Sequence, residues 1–197
     1  MAHDDIAALE CAFAAAGRDA GALAHELSDA LGTWRADPGS WSVAQCLDHL
    51  ATSNRVYLRA MQSPADRALT DGRRWRGPAR PGFAGGWFVR MLEPPVRPRL
   101  RGTAPQQIRP RPSPPLADAR DQFFASQREV VTFLEAYANI DLAGVVFPNP
   151  FVLGVRFSLA TGLHVIAAHA RRHLWQAWRV RRAAELHLPG AHHEETT

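Results

Sequence analysis

Four stretches of this chain carry apolar residues at steps of three and four, and no stretch carries a convincing two-residue alternation. The first pattern marks one face of an α-helix, and the second would mark a half-buried strand. From about Asp4 to Leu31 the stripe is Ile6, Leu9, Phe13, Ala20, Leu23, Leu27 and Leu31, with Asp4 or Asp5 as a cap. Gly17 and Gly21 weaken this helix, each by about 1 kcal/mol against Ala. From 42 to about 62, Val43, Leu47, Leu50, Tyr57 and Met61 form the second stripe, capped by Ser40 or Ser42. From 116 to 138 the core face is Phe123, Gln127, Val130, Val131, Leu134 and Ala138. From 158 to 186, behind a Ser158 cap, it is Leu159, Leu163, Ile166, Ala170, Leu174 and Ala177. Four single-faced helices must cover one another, so the expected fold is all-α, a four-helix bundle.

The connections carry their own signals. Asp37-Pro38-Gly39 is a turn, because Pro sets φ and Gly accepts a positive one. Residues 63–115, between the second and third helices, are rich in Pro and hold ten arginines between Arg73 and Arg111. A connection that long is functional or disordered more often than not. A short helix is predicted near 83–92, and Arg97-Pro98-Arg99 reads as extended, polyproline-like chain. Trp75, Phe83, Trp87 and Phe88 are too apolar for a free linker, so part of 75–95 is expected to pack over one end of the bundle. Pro148 and Pro150 forbid a regular helix across 142–157 and favour a loop or a short extended piece. The expected domain is 1–190, with 191–197 a frayed tail.

Composition excludes several classes. A 197-residue chain with 46% apolar and 21% charged residues fits one soluble globular domain. Two cysteines make neither a disulfide framework nor a zinc finger. The acidic start, MAHDDIAALE, is no signal peptide, and Phe151 to Ala170 is interrupted by Arg156, His164 and His169. A cytoplasmic setting without membrane contact is the expectation. All 23 basic residues are Arg and the formal charge is +4, which permits acidic partners without requiring them. The arginines of 73–111 are interleaved with Pro and no nucleic-acid module is present, which argues against a nucleic-acid binder.

The richest stretch is HVIAAHARRHLWQ, residues 164–176. On a helix His169 and His173 stand one turn apart on the same side, at the edge of the apolar stripe, and Gln176 continues their row. This HxxxH spacing lets two imidazoles share one metal ion. It equally suits an exposed or interfacial pair in an Arg-rich helix. His164 points off the opposite side. A zincin protease is rejected, because its general-base Glu would stand where this chain has Ala170. In a bundle, His49 of the second helix can face the pair, although a lone histidine there also reads as a hydrogen-bonded interfacial residue.

Two segments resemble the DinB/YfiT-like superfamily. One is Trp41-Ser42-Val43 followed by Leu47-Asp48-His49-Leu50, and the other is His169 to Gln176, HARRHLWQ. Their order and separation are similar too, and the helical pattern extends the likeness over most of the chain. The resemblance implies a bundle with a three-histidine site for a divalent ion, usually zinc or nickel. By position the ligands would be His49, His169 and His173. It also implies transfer or isomerisation chemistry with a low-molecular-weight thiol such as bacillithiol or mycothiol. Many similar sequences carry an acidic residue where this chain has Ala170, so no carboxylate role carries over to that position.

Three neutral imidazoles would leave a coordination position for water, substrate or thiolate. Gln176 is the candidate to hydrogen-bond a ligand or a metal-bound water. Asp48 and Arg172 are candidates to support the ligands or the bundle. Cys46, one turn before His49, reads as a core residue rather than a nucleophile. The leading expectation is a metal-dependent transferase or hydrolase acting on a small molecule. A non-enzymatic metal- or ligand-binding bundle is the alternative, an Arg-mediated binder of acidic surfaces comes third, and a homodimer is left open.

Overall fold

The computed structural model describes residues 4–95 and 104–189. The frayed tail expected at 191–197 and the polyproline-like Arg97-Pro98-Arg99 lie outside these residues. Six α-helices and one small sheet occur among the described residues: α1 (Asp4–Ala24), α2 (Asp29–Thr33), α3 (Val43–Thr70), α4 (Phe83–Leu92), α5 (Leu116–Tyr137), β1 (Val146–Pro148), β2 (Arg156–Ser158) and α6 (Leu159–His187). Helix α3 packs on α5 and α6, and α1 packs on the same two, which closes a four-helix bundle. None of these helices is long and apolar enough to cross a membrane.

Local chemistry sets the helix starts. Ser42 and Gln45 form a reciprocal capping box on α3: the Gln45 N–H donates to Ser42 Oγ at 3.1 Å and the Ser42 N–H to Gln45 Oε1 at 3.0 Å. Ser158 Oγ accepts from the Thr161 N–H and caps α6. Pro115 offers α5 no side-chain cap, and Asp29 of α2 supplies one across the fold, accepting from the Leu116 N–H at 3.1 Å.

Two helix boundaries differ from expectation. The first helix stops at Ala24 rather than near Leu31, where Glu26 adopts a positive φ of 51° and Ser28 starts α2. Helix α3 passes the expected end near 62 and runs through Pro64 to Thr70. Proline there removes one backbone hydrogen bond. The turns beyond it bury Ala65 and Ala68 completely or nearly so, which offsets that loss.

The prolines of 146–150 sit in a short hairpin. Phe147 pairs with Phe157, and the Asn149 side chain accepts from the Phe151 and Val152 N–H groups to turn the chain. Phe147 is fully buried against the start of α6. A Cβ on Gly162 would lie 2.5 Å from Met61 Sδ and 2.9 Å from Phe147 Cζ, so only glycine allows this approach.

Within the long connection, residues 79–88 pack on the bundle where α1 and α6 begin, with Arg80 paired to Asp5, and α4 continues along α6. Helix α4 follows the flank of α6: a Cβ on Gly85 would collide with Thr161, and Glu93 pairs with Arg171 further along. The aromatic residues divide unexpectedly. Phe88 joins the core and meets Phe157 at 5.2 Å, but Phe83 and Trp87 face solvent at 93% and 56% exposure, and Trp75 is also exposed.

The core is in two parts. One apolar cluster contains Leu9, Tyr57, Met61, Leu134 and Ile166; the other contains Leu23, Leu47, Leu50, Phe123 and Leu174. Between them α3 contributes Ser53 and Asn54, α5 contributes Ser126 and Gln127, and α6 contributes His169. Asn54 donates to Ser126 Oγ and Gln127 Oε1 within this polar layer. The histidines described next lie at its edge.

Candidate metal centre

His49 enters from α3, and His169 and His173 enter from successive turns of α6. Their ring centroids are 4.5–4.9 Å apart in all three pairs. Taking one nitrogen from each ring, the three atoms lie within 4.8 Å of one another. His49 Nε2 and His169 Nε2 are 3.2 Å apart. Two nitrogens bound tetrahedrally at the usual zinc distance would stand about 3.3–3.4 Å apart, so this pair already has a ligand-like spacing.

The tautomer of His49 follows from its partner. His49 Nδ1 lies 2.5 Å from the Ile108 carbonyl oxygen, which can only accept, so Nδ1 carries the proton and Nε2 presents a lone pair to the cluster. His169 Nδ1 meets Ser53 Oγ at 3.3 Å, and a hydroxyl can either donate or accept there. His173 Nδ1 is buried without a hydrogen-bond partner. An unmatched buried polar atom invites an explanation, and a bound ion drawing on this ring is one of the right kind.

Burial lowers the pKa of all three imidazoles, and for His169 and His173 the drop is large. Neighbouring imidazoles and the positive Arg172 push His169 and His173 the same way, while Gln176 favours the charged form of His173. The histidines are therefore neutral near pH 7, the form that ligates metals. The donor set fits a divalent ion: three neutral nitrogens, mutually close, one with its tautomer fixed from behind.

Neighbouring residues take distinct places. Trp41 packs its ring against His49 at 4.7 Å and against His173 at 5.6 Å. Asp48 holds Arg111 through both carboxylate oxygens. Cys46 is fully buried, and burial pushes its thiol up to about 12, so it is no thiolate nucleophile. Gln176 is half-buried beside His173. His164 stands outside the cluster, donating from Nε2 to the Ala79 carbonyl at 3.0 Å.

Sequence reasoning missed two contributors. The Ile108 carbonyl is a backbone group with no side-chain signature. Trp41 belonged to a recognised motif, but nothing in its spacing showed that its ring would cover two histidines.

A mainly helical bundle with three clustered histidines is an arrangement that could hold a divalent metal ion. The DinB superfamily model matches residues 12–177. The chain belongs to the DinB superfamily. No curated protein and no solved structure matches it.

Proposed function

We propose that this chain is a divalent-metal-dependent enzyme whose ligands are His49, His169 and His173. The observation that carries the reading is the convergence of three neutral imidazoles from two helices, with two ring nitrogens at 3.2 Å. Zinc and nickel are among the ions that suit an all-imidazole set. Such an ion, when bound, would supply Lewis acidity and lower the pKa of a water or thiol.

The chain's own residues have separable tasks. Ile108 holds the His49 proton on Nδ1, and Ser53 exchanges a proton-bearing contact with His169 Nδ1. Trp41 shields one side of the cluster from water. Gln176 can orient a ligand through its amide, beside His173. A small molecule is the substrate in this reading, with thiol transfer or hydrolysis as the reaction class and a thiol such as bacillithiol or mycothiol as co-substrate. A cytoplasmic setting belongs to the same reading.

One observation favours the alternative, a non-enzymatic metal-binding bundle. No carboxylate joins the histidine cluster among the described residues, and Asp48 is committed to Arg111. The deciding experiment is metal analysis of protein purified without an affinity tag, followed by a thiol-transfer screen. About one ion per chain with thiol turnover supports the enzyme. Bound metal without turnover of any thiol supports the alternative, and no bound metal removes the enzyme and leaves only a ligand-binding bundle.

A further inference from the structure

A concavity of about 740 Å3 lies between α3 and α5, and none of His49, His169 or His173 lines it. Its lining runs from Ala125 to Tyr137 along α5, about 18 Å of helix at 1.5 Å per residue. A space of that size suits a small molecule, whose sites commonly hold about 300–1,000 Å3. The sequence accounts for the shape. Helix α5 turns Phe123, Gln127, Val130 and Leu134 into the bundle, which leaves Ala125, Thr132 and Ala136 beside α3. Side chains this short leave a trough where longer ones would reach α3. Leu58, Phe133 and Tyr137, each at most 9% exposed, give the trough an apolar floor.

The polar groups along the trough are spent unevenly. Arg55 crosses from α3 to α5 and donates to Gln122 and Glu129. The Tyr137 hydroxyl donates to Asp66, and Gln62 donates to both of them. Arg59 and Arg128 are exposed, and neither makes a hydrogen bond or ion pair among the described residues. The lining thus holds three arginines against one carboxylate, Glu129, and Glu135 further along α5 does not line it. With Asp66 behind Tyr137 counted too, one positive charge is still left over. Two unspent guanidinium groups beside an apolar floor match a ligand with an anionic head and an apolar body. A second copy of the chain is a poor match, because a two-fold contact would bring these arginines from both sides.

We propose that the α3–α5 groove binds a small amphipathic acid, with its carboxylate held by Arg59 and Arg128 and its apolar body on Leu58, Phe133 and Tyr137. Arg suits the first task because its planar fork pairs with a carboxylate through two parallel hydrogen bonds. The floor supplies apolar area for the second. Neutral molecules of the same shape bind more weakly, and binding needs nothing from the histidine cluster.

The test titrates the full chain by calorimetry with two probes of one shape, 6-phenylhexanoate and 6-phenylhexan-1-ol, and locates each by amide chemical shifts. The acid should bind at least about 10-fold more tightly, the value of one charge-assisted hydrogen bond, with shifts centred on 55–62 and 125–137. The double variant Arg59→Gln/Arg128→Gln changes only exposed side chains, and its preference should fall below about threefold. Arg156→Gln/Arg182→Gln removes the same charge from exposed positions outside the groove and should keep the full preference. Ala136→Trp fills the trough and should weaken both probes by at least about 10-fold. Absent binding, equal affinities in the wild type, or a preference that survives the loss of Arg59 and Arg128 would overturn the proposal. So would an equal fall in the control pair, unchanged binding in Ala136→Trp, or shifts centred on the histidines. A dimer whose dissociation uncovers 125–137 to hydrogen exchange would assign the groove to a second copy and overturn it as well.

Discussion

Asp48 Oδ2 accepts the backbone N–H of Arg111, and Asp48 Oδ1 accepts the guanidinium Nε of the same residue, each at 2.8 Å. One turn back on α3, Gln45 donates to the carbonyls of Arg111 and Pro112. One residue forward, His49 donates to the carbonyl of Ile108. Three neighbouring side chains of one helix thus hold a five-residue piece of the long connection. The connection in turn fixes the orientation of a candidate metal ligand. Arg111 also reaches Asp118 at the start of α5, so the clamp spans three elements.

Arg111→Ala should release this clamp. The buried Asp48 carboxylate would lose its charged partner, and the Ile108 carbonyl would be less firmly held on His49. A stability loss of about 1–3 kcal/mol is expected, tempered by the half-exposed position of the arginine side chain. Metal affinity should fall on the order of 10-fold or more, as for other changes behind a ligand. Urea unfolding of metal-free protein measures the first and competitive chelator titration the second. Unchanged metal affinity in a folded variant would show that the Ile108 contact does not set the His49 orientation.

The two cysteines should differ sharply toward a thiol reagent. Cys11 is exposed on α1, whereas Cys46 is fully buried with its thiol pushed up to about 12. Native protein should modify one thiol quickly at pH 8, and the second should appear only on unfolding. The fast thiol should vanish in Cys11→Ser and remain in Cys46→Ala. Rapid modification of Cys46 would mean that the core beside His49 opens readily.

The bundle was legible because long stripes of period 3.6 admit few alternatives, and the stripes through Leu47 and Leu174 do meet in one core. The histidine placement was legible for a related reason: helix geometry alone puts His169 and His173 on one side, and a bundle brings His49 opposite. Local rules failed where tertiary burial outweighed them. The second helix is expected to end near 62, but the burial of Ala65 and Ala68 carries α3 on through Pro64 to Thr70. Aromatic content at Phe83 and Trp87 reads as packing, but α4 can bury only one face against α6, and Phe88, Val89 and Leu92 lie on that face. The Ile108 carbonyl could not be found from side-chain pattern, because any residue there would supply the same acceptor.

Gly162→Ala should be disruptive although alanine is the better helix former. The added Cβ would press on Met61 Sδ and on the Phe147 ring, both fully buried. A Cβ only 2.5 Å from Met61 Sδ lies at the severe end of such overpacking, which costs about 1–3 kcal/mol against a helix-propensity gain of about 1 kcal/mol. Gly17→Ala, in α1 with open space at the Cβ position, should instead stabilise by up to about 1 kcal/mol. Urea midpoints of the two variants should move in opposite directions from wild type. Movement in the same direction would contradict the hairpin's placement against α6.

Acid should weaken the metal-free fold, and His164 should supply part of that effect. Burial holds the His164 pKa below its ordinary 6.5, with the Ala79 carbonyl opposing. The unfolded chain therefore binds this proton at a higher pH than the folded chain does. Stability is fully retained above about 6.5 and falls as pH drops from there toward the folded value. Each group of this kind contributes at most about 1.4 kcal/mol per pH unit inside that window. The acid slope of His164→Gln, measured by denaturant unfolding between pH 7 and 5, should be shallower than that of wild type. An identical slope would mean that His164 titrates alike in both states.

The same histidine separates a ligand from a neighbour. His164 and His173 lie on one helix, and both are shielded from water, but only His173 shares the cluster with His49 and His169. His173→Ala removes one of three nitrogens, and two imidazoles hold a divalent ion far less well than three. Its affinity for Zn(II) should fall by at least about 100-fold, with the fold retained, because truncation there leaves a site that water can enter beside the partly exposed His169. His164→Ala removes a hydrogen bond to the α4 approach and should cost about 1 kcal/mol of stability, with Zn(II) affinity within about twofold of wild type. Chelator competition on both variants, with circular dichroism to confirm folding, reads the two effects apart. Equal Zn(II) affinity in the two variants would exclude His173 as a ligand and return the cluster to a purely structural role.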